Sequence, residues 1–384
     1  MQVQCKQENL ARALSVVNRA VPSRTTLPVT NNVLLATDGG RLKLAATNLE
    51  IAITSWIGAG VEDDGAITVP ARMLSDLVTS LPNDKVQLEM AGDQKILKVR
   101  CGRFQANLRG IDADEFPLIP VIGDDEGMAM ALPAGLLKSS IEQVIFAAAR
   151  DDTRPVFAGV LLRVRDGQLN LVACDSFRLS LKAIELLEPP AENFDVIVPG
   201  RVMAEVARVL GGAGDEERVS VAVTPKKSQV LFHTESADVV SRLIDGQYPD
   251  YPRILTQIEK HNNKATLNLA ELAQAVKFAS FVSKQANNAL YLEFTPGPEI
   301  GPGSVKLTAN AADVGDNAGE VDAIIDGPGG LMSLDTTFLT DVLGACTGQQ
   351  VLISFLAGHT IAVLIRPVGD AATTHVIMPM QIQR

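Results

Sequence analysis

The sequence predicts an α+β protein built from three copies of one domain, each with two helices packed on antiparallel sheet. The first observation is a strand unit that occurs three times. Its clearest form is LNLVACDSFRLSL at 169–181, and weaker forms lie at 42–53 and 305–315. The second is that 384 residues suit two or three domains. The third is that strand signals spread through each copy, without the long βαβ alternation of a parallel nucleotide-binding sheet.

The three forms of the strand unit keep a common register. Both residues of an L-x-A pair shift by the same number of positions from one form to another, and the pairs are Leu44 and Ala46, Leu171 and Ala173, and Leu307 and Ala309. Similarly, Pro70 and Arg72 recur together as Pro199 and Arg201. We therefore expect three domains of ordinary size, over 1–121, 130–255 and 260–384.

The first copy begins with an amphipathic helix over 8–21. Its apolar stripe has the spacing of one helix face and consists of Leu10, Leu14, Val17 and Val21. Asp38-Gly39-Gly40 between two apolar runs is typical of a hairpin turn. VPARMLSDLVTSLP predicts a second helix between Pro70 and Pro82. The strands KVQLEM and ILKVR complete this copy.

A proline-rich and acidic stretch over 117–133 predicts the linker to the second copy. Copy two then opens with a helix over 134–149, whose stripe is Leu137, Ile141, Val144 and Ala148. Its second helix starts in VPGRVMAEVARVL. The copy ends in LIDGQYPDYP, which resembles IDADEFPLIP at the end of copy one.

The third copy begins at Asn268, which we expect to cap a helix with Glu271 three residues further on. Asp335 starts the second helix where the other copies have proline. The strands VLISFLA and TIAVLIRP follow. The terminal VIMPM has two interpretations. It is a last core strand, or an exposed apolar patch for a partner peptide, to which Met378 and Met380 would adapt.

Composition excludes several classes of protein. The apolar fraction is 46%, but no run approaches the roughly 20 apolar residues of a membrane span. MQVQCKQENL lacks a signal-peptide pattern, and four scattered cysteines suit a reducing compartment, so we expect a cytoplasmic protein. A net charge of −11 opposes DNA binding through a broad basic surface, and 4% aromatic residues disfavours stacking platforms for single strands.

The sequence lacks catalytic and metal-binding motifs. GxxxxGK(S/T), HExxH, GxSxG and GxGxxG do not occur, and the four histidines lack metal-ligand spacing. Asp112, Asp114 and Glu115 form one carboxylate cluster. It is either a solvated turn or, if the fold brings further carboxylates close, part of a metal-dependent active site. We expect no cofactor.

Basic residues concentrate on the predicted helices, whereas acidic residues crowd into turns and linkers at 63–64, 124–126 and 215–217. The basic residues on or beside helices are Arg12, Arg19, Arg72, Lys138, Arg150, Arg201, Arg208, Lys277 and Lys284. Taken singly, each is a solvated helix residue. As a set on one side of the protein, they could contact phosphates without reading base sequence.

Five segments give the chain a close resemblance to the bacterial sliding clamp family, the beta subunits of DNA polymerase III. They are RTTLP at 24–28, VPAR at 69–72, DSFRL at 175–179, LIDGQYPDY at 243–251 and VIMPM at 376–380. Because they span all three copies, the resemblance covers the whole chain. It implies the DNA clamp fold, in which two chains join head to tail into a ring of six domains, with helices lining the hole.

The resemblance also implies a function without an active site. The homodimeric ring would encircle double-stranded DNA without sequence preference and tether the catalytic subunit of DNA polymerase III. The clamp loader and repair proteins with clamp-binding motifs would bind the same apolar pocket, between the second and third domains. Positions that match this pocket are Arg178, Leu179, Pro249, Ile254, Ala362, Val376, Met378, Pro379 and Met380. Positions expected to face DNA, from the helices or the family match, are Arg12, Arg24, Arg72, Arg154 and Arg201.

The match has three departures. Cys174 stands where a threonine is common, Gln381 replaces a usual arginine, and 382–384 extend past the usual terminal leucine. Two other hypotheses stay open. One is an enzyme that uses the carboxylates at 112–115. The other is a repeat scaffold that binds proteins but not DNA and forms no ring.

Overall fold

The structure, a computed structural model, describes residues 1–90, 95–120, 128–151, 153–214, 216–298, 301–358 and 361–382. The acidic stretch 124–126, Asp215 and the last two residues, Gln383 and Arg384, lie outside these ranges. Contacts group the chain into two compact units. Unit 1 is Met1–Lys138, Glu188–Glu192 and Arg201–Leu243, and unit 2 is Ser139–Leu187, Asn193–Gly200 and Ile244–Arg384. Each unit therefore holds one terminal copy of the repeat and part of the central copy.

Copy one runs from the N-terminus to the predicted linker. Its elements are β1 (Gln2–Lys6), α1 (Gln7–Val17), β2 (Asn32–Asp38), β3 (Arg41–Thr47), β4 (Ile51–Gly58), β5 (Gly60–Asp63), β6 (Ala66–Pro70), α2 (Ala71–Ser80), β7 (Lys85–Met90), β8 (Ile96–Cys101) and β9 (Phe104–Arg109). A short 3-10 turn, Asn18–Ala20, follows α1, so Val21 lies beyond the helix that the stripe predicted. Between β2 and β3, Gly39 and Gly40 have φ of 55° and 75°, the left-handed conformation that a two-residue hairpin requires.

The two helices of copy one pack on sheet, as predicted. Helix α1 contacts α2, β3 and β4. Its stripe residues Leu10, Leu14 and Val17 are fully buried, as are Leu74 and Val78 of α2. Burying one such leucine contributes about 2 kcal/mol of transfer free energy. The apolar faces of both helices therefore anchor them to the sheet.

Copy two contains β10 (Met128–Pro133), α3 (Ala134–Val144), β11 (Gly159–Arg165), β12 (Gln168–Cys174), β13 (Arg178–Glu185), β14 (Phe194–Pro199), α4 (Gly200–Leu210), β15 (Arg218–Val223), β16 (Gln229–His233) and β17 (Ala237–Arg242). Helix α3 ends at Val144, and a 3-10 turn, Ile145–Ala147, continues the chain. Ala148, predicted in the helix stripe, is buried beyond the helix end.

Copy three follows a short helix, α5 (Tyr251–Gln257). It contains β18 (Asn263–Asn268), α6 (Leu269–Ser283), β19 (Ala289–Thr295), β20 (Gly303–Ala311), β21 (Gly315–Asp326), β22 (Gly330–Asp335), α7 (Thr336–Ala345), β23 (Gln350–Phe355), β24 (Val363–Pro367) and β25 (Thr373–Ile377). The predicted cap at Asn268 and the predicted helix start at Asp335 are confirmed. Asn268 Oδ1 accepts the N–H of Glu271 at 3.1 Å. Asp335 Oδ1 accepts the N–H groups of Thr337 at 2.7 Å and Phe338 at 3.1 Å.

A strand precedes the first helix of every copy, although no local sequence signal predicts it. These strands are β1, β10 and β18. The predicted linker is therefore wrong over Met128–Pro133, because β10 pairs antiparallel with β15, from Met128 opposite Val223 to Pro133 opposite Arg218. Its partner strand lies far along the chain, so no hairpin signal marks the segment.

Sheets continue from one copy into the next within each unit. In unit 1, β17 pairs with β4, and the described strands form a sheet of order β10-β15-β16-β17-β4-β3-β2-β6 beside a sheet of order β5-β1-β7-β8-β9. In unit 2, β13 pairs with β25 in a sheet of order β14-β11-β12-β13-β25-β24-β23-β18-β21-β20-β19-β22. The edge strand of one copy thus satisfies the backbone groups of its neighbour.

The cysteines of the protein are interior residues. Cys5, Cys101, Cys174 and Cys346 are free and buried, as predicted. No helix within the described residues is both long enough and apolar enough to cross a membrane.

Candidate functional site

An apolar cluster in unit 2 lies where the second and third copies share their sheet. Its buried members come from strands of both copies and from the connection between them, and they are Leu161, Val172, Cys174, Leu179, Ile197, Tyr248, Tyr251, Ala362, Leu364 and Val376. Ile254 of α5 packs against them. We call this set the β13–β25 cluster. It brings together four residues predicted for the peptide pocket, namely Leu179, Ile254, Ala362 and Val376.

Strand register decides which side chains reach the β13–β25 cluster. Leu179 of β13 lies opposite Val376 of β25, and both belong to the cluster. Arg178 lies opposite Ile377, which belongs instead to the core of copy three. Because successive strand residues point to opposite faces of a sheet, the side chain of Arg178 points away from the cluster.

Arg178 is buried among acidic and aromatic groups on that other face. Its Nη1 donates to Asp341 Oδ2 at 2.6 Å, and its Nε donates to Asp175 Oδ2 at 3.1 Å. The guanidinium carbon lies 4.5 Å from the centre of the Phe338 ring. The structure therefore does not bring Arg178 to the predicted pocket. Its side chain joins β13 to α7.

The chain beyond β25 is attached to its neighbours at two points. The Met378 N–H donates to the Phe177 carbonyl at 2.7 Å, and the Met380 N–H donates to the Ser333 carbonyl at 2.8 Å. Met378 is 39% exposed, whereas Pro379 and Met380 are half-buried. Each interpretation of the tail therefore holds for one part of it. Strand β25 is buried, and the thioether of Met378 after it is accessible.

Aromatic residues of the connection between copies two and three form one wall of the cluster. The Tyr248 hydroxyl donates to the Val172 carbonyl at 3.1 Å, and burial raises the pKa of Tyr248 well above its usual value. Pro249 is half-buried, and its carbonyl accepts the N–H of Tyr251 at 2.8 Å. Cys174 packs in the cluster as a buried side chain, and burial raises its pKa too. These groups suit the binding of apolar side chains rather than chemical reaction.

The arginines predicted to face DNA are all exposed. They are Arg12, Arg24, Arg72, Arg154 and Arg201. Arg201 forms an ion pair with Glu50, and the guanidinium carbon of Arg154 lies 4.6 Å from the centre of the Phe157 ring. The other three form no ion pair with any described residue. Their charges are therefore free to attract phosphate groups.

The carboxylates at 112–115 form a capped turn. Asp112 Oδ1 accepts the N–H of Asp114 at 3.1 Å, and Asp112 Oδ2 lies 3.2 Å from Lys95 Nζ. These contacts, the Asp114 N–H foremost, hold the pKa of Asp112 below its usual value. Across the ranges that the structure describes, no group of three or more His, Cys, Asp or Glu side chains could hold a metal ion. Of the two interpretations, the solvated turn is the one found.

Three α+β copies joined through shared sheets, with an apolar site where two of them meet, define a clamp-fold protein. The chain belongs to the family of DNA polymerase III beta subunits, the bacterial sliding clamps. Its three family domains match in order: the N-terminal domain over residues 1–120, the central domain over 131–250 and the C-terminal domain over 258–381.

Named relatives and solved structures agree with this assignment. The chain is 34% identical to the beta sliding clamp of Synechococcus elongatus over 387 residues, covering all of both chains. It is 29% identical to that of Bacillus subtilis over 394 residues, covering 99% of this chain and all of the relative. The crystal structure of the Bacillus subtilis DNA polymerase sliding clamp superposes with a TM-score of 0.91 at 29% identity, and a Pseudomonas aeruginosa sliding clamp bound to griselimycin with 0.90 at 27%. Both superpositions cover all of both chains.

Proposed function

We propose that two copies of this chain close into a ring around double-stranded DNA and tether the catalytic subunit of DNA polymerase III, in the cytoplasm. The observation that carries the proposal is that sheets run on from copy to copy, while strand edges in the first and third copies pair with no described strand. A closed ring holds DNA by topology, so a net charge of −11 is no obstacle. The tether raises the effective concentration of the polymerase at the template without tight DNA binding.

The open edges carry opposite charges. Strand β9 is the last strand of its sheet; Arg103 directly precedes it and Arg109 is its last residue. The part of β21 before Ala323 pairs with β20 on one side, and no described strand pairs with its other side. The acidic residues of that part are Asp316, Glu320 and Asp322. Strand pairing between β9 of one chain and β21 of another would cover both edges and bring these charges together.

Exposed aromatic side chains lie beside both edges. Phe104 begins β9 and is mostly exposed. Phe278 and Phe281 of α6 are also more exposed than buried. The Phe278 carbonyl accepts a hydrogen bond from Asn317 Nδ2 of β21 at 2.9 Å, so this part of α6 adjoins the acidic edge. A head-to-tail interface would bury these rings, which contribute strongly to association when they are removed from water.

Sedimentation equilibrium tests ring closure. The chain mass is 40.8 kDa, and we expect a species of twice that mass. The double variant Glu320→Lys and Asp322→Lys should be monomeric, because basic side chains would then meet Arg103 and Arg109. Mixing it with a chain carrying Arg103→Glu and Arg109→Glu should restore the dimer mass.

The matched control reverses two exposed charges away from the edges, with Glu216→Lys and Glu235→Lys, and should leave the dimer intact. This interface is contradicted if the wild-type chain is a monomer, or if the charge-reversed variants still give the dimer mass.

Retention on DNA tests encirclement. Chain loaded onto circular duplex by a clamp loader should stay bound at moderate salt, and should be lost when the circle is cut, since a ring slides off a free end. Equal retention on both forms contradicts the ring and favours ordinary phosphate binding. A repeat scaffold without DNA contact would be retained on neither form.

We further propose that the β13–β25 cluster and the tail receive short apolar peptides from the polymerase, the clamp loader and repair proteins. The supporting contacts are the apolar floor of Leu179, Ala362 and Val376 and the accessible Met378 beside it. An apolar peptide gains about 25 cal/mol for each Å² that it removes from water here. Arg178 is left out of this proposal because its guanidinium is buried on the other face.

Peptide titration tests the pocket. Met378→Ala or Pro379→Ala should weaken binding of a fluorescent polymerase-derived peptide by about tenfold, as expected from the loss of one apolar contact. Sedimentation should still give the dimer. Dimer loss with unchanged peptide affinity would mean that the tail has a structural role instead.

A further inference from the structure

A second apolar cleft lies in unit 1, at the place in the repeat that corresponds to the β13–β25 cluster. Val240 of β17 lies opposite Ala52 of β4, just as Val376 lies opposite Leu179. Leu231 lies opposite Val240 in the same way that Leu364 lies opposite Val376. The junction between copies one and two is thus built on the same strand pairing as the junction between copies two and three.

The floor of this cleft is apolar and has room for a ligand. Ala52, Ala222, Leu231 and Val240 form a buried group, against which Ile119 packs. The cleft above it has a volume of about 200 Å³. Since Ala52 occupies the position of Leu179, the smaller side chain leaves space at the corresponding point.

Two exposed leucines line the same cleft. Leu118 is 99% exposed and Leu49 is 49% exposed. Leu49 also has φ of 74°, a left-handed conformation that costs a non-glycine residue of order 1 kcal/mol. The turn is held in place because Asn48 Oδ1 accepts the N–H groups of Glu50 at 3.0 Å and Ile51 at 2.9 Å. Folding alone gains nothing from exposing two leucines beside an apolar floor.

A basic group completes the rim. Arg242 directly follows the residue that lies opposite Ile51. It therefore has the position in this cleft that Met378 has at the β13–β25 cluster. Its side chain is exposed and forms no ion pair with a described residue. The nearby Glu50 carboxylate is engaged by Arg201. A ligand that contacts Arg242 would therefore meet an uncompensated positive charge.

We propose that this cleft binds an extended peptide of a partner protein that carries adjacent apolar side chains and one carboxylate. The apolar side chains would contact Leu49, Leu118 and the floor, and the carboxylate would pair with Arg242. The inference rests on the proposed function, because it takes the β13–β25 cluster as a peptide site. It adds that each chain has two such sites, and that a guanidinium in place of a thioether gives the second a preference for acidic peptides.

Two fluorescent hexapeptides test the proposal. Both contain adjacent leucine and phenylalanine, and they differ in a single aspartate or lysine. They are titrated into the full-length chain carrying Met378→Ala and Pro379→Ala, which weakens binding at the first site. We expect residual binding of the aspartate peptide, weakened about tenfold by Arg242→Glu, the effect of turning a surface attraction into repulsion. The lysine peptide should show the opposite change.

Leu118→Ser should weaken both peptides, and Arg100→Glu, an equal charge change on β8, should weaken neither. The second site is overturned if no residual binding is measured. It is also overturned if neither Arg242→Glu nor Leu118→Ser changes the affinity of the residual binding. Failure of the first site is recognised separately, because the Met378→Ala and Pro379→Ala changes would then leave the wild-type affinity unaltered.

Discussion

Replacing Arg178 by alanine removes the cation that joins β13 of copy two to α7 of copy three. The guanidinium contacts Asp341 at 2.6 Å and Asp175 at 3.1 Å, and its carbon lies 4.5 Å from the Phe338 ring centre and 5.6 Å from that of Phe146. The side chain is buried, so its loss leaves acidic groups without their partner inside the unit.

The size of the stability loss depends on the hydrogen bonds and solvent contact that each carboxylate retains without Arg178. Breaking a buried ion pair costs about 3–5 kcal/mol in free energy of unfolding. Asp175 retains the N–H groups of Phe177 at 2.7 Å and of residue 178 at 2.9 Å. The Asp341 side chain is 26% exposed, so water can reach it. We therefore expect the low end of that range, about 3 kcal/mol.

Urea unfolding and peptide titration on the same variants separate structure from binding. Arg178→Ala should lower the free energy of unfolding as stated and leave peptide affinity within about twofold of wild type, because its side chain faces away from the β13–β25 cluster. Arg178→Lys should recover part of the stability. Met378→Ala should weaken peptide binding and leave the free energy of unfolding nearly unchanged. An Arg178→Ala variant of unchanged stability and strongly weakened peptide binding would refute the assignment of this side chain to the opposite face.

Three further outcomes follow from buried or capping groups. Burial lowers the pKa of His375 to about 4, so below pH about 6.5 protons bind preferentially to the unfolded chain. The free energy of unfolding should therefore have its full value above pH about 6.5 and fall by about 3 kcal/mol towards pH 4. The variant His375→Asn should show a shallower loss. Burial raises the pKa of Cys5 and Cys346 to about 12, so a thiol reagent at pH 8 should label them only after unfolding in urea, and rapid labelling of the native chain would contradict their burial. Asp335→Ala should cost about 1 kcal/mol by removing the cap of α7, whereas Asp335→Asn should cost much less, and equal losses would contradict capping.

Local signals predicted most of the secondary structure. The stripe of Leu10, Leu14 and Val17, the caps at Asn268 and Asp335, and the glycine turn after Asp38 depend on residues a few positions apart. The repeat added the division into similar copies, because the same local signals recur in the same order. Interactions between residues this close in the chain can be predicted from the sequence alone.

Strands that pair with remote partners escaped that kind of prediction. Met128–Pro133 looked like linker because its partner, β15, lies beyond several other elements. The positive φ of Leu49 and the position of Arg242 near it gave no signal either, since the first depends on a folded turn and the second on pairing between β17 and β4. Their place in a cleft follows from contacts between distant segments.

The sequence by itself determined the α+β class, the three copies and the family, because these rest on local periodicity and on motifs such as DSFRL and VIMPM. Only the tertiary structure decided which side chains share a face. Leu179 and Val376 meet in one cluster while Arg178, one position away, is buried on the other side of the sheet. The reason is physical: strand register between segments far apart in the chain, with its period of two, assigns each residue to a face.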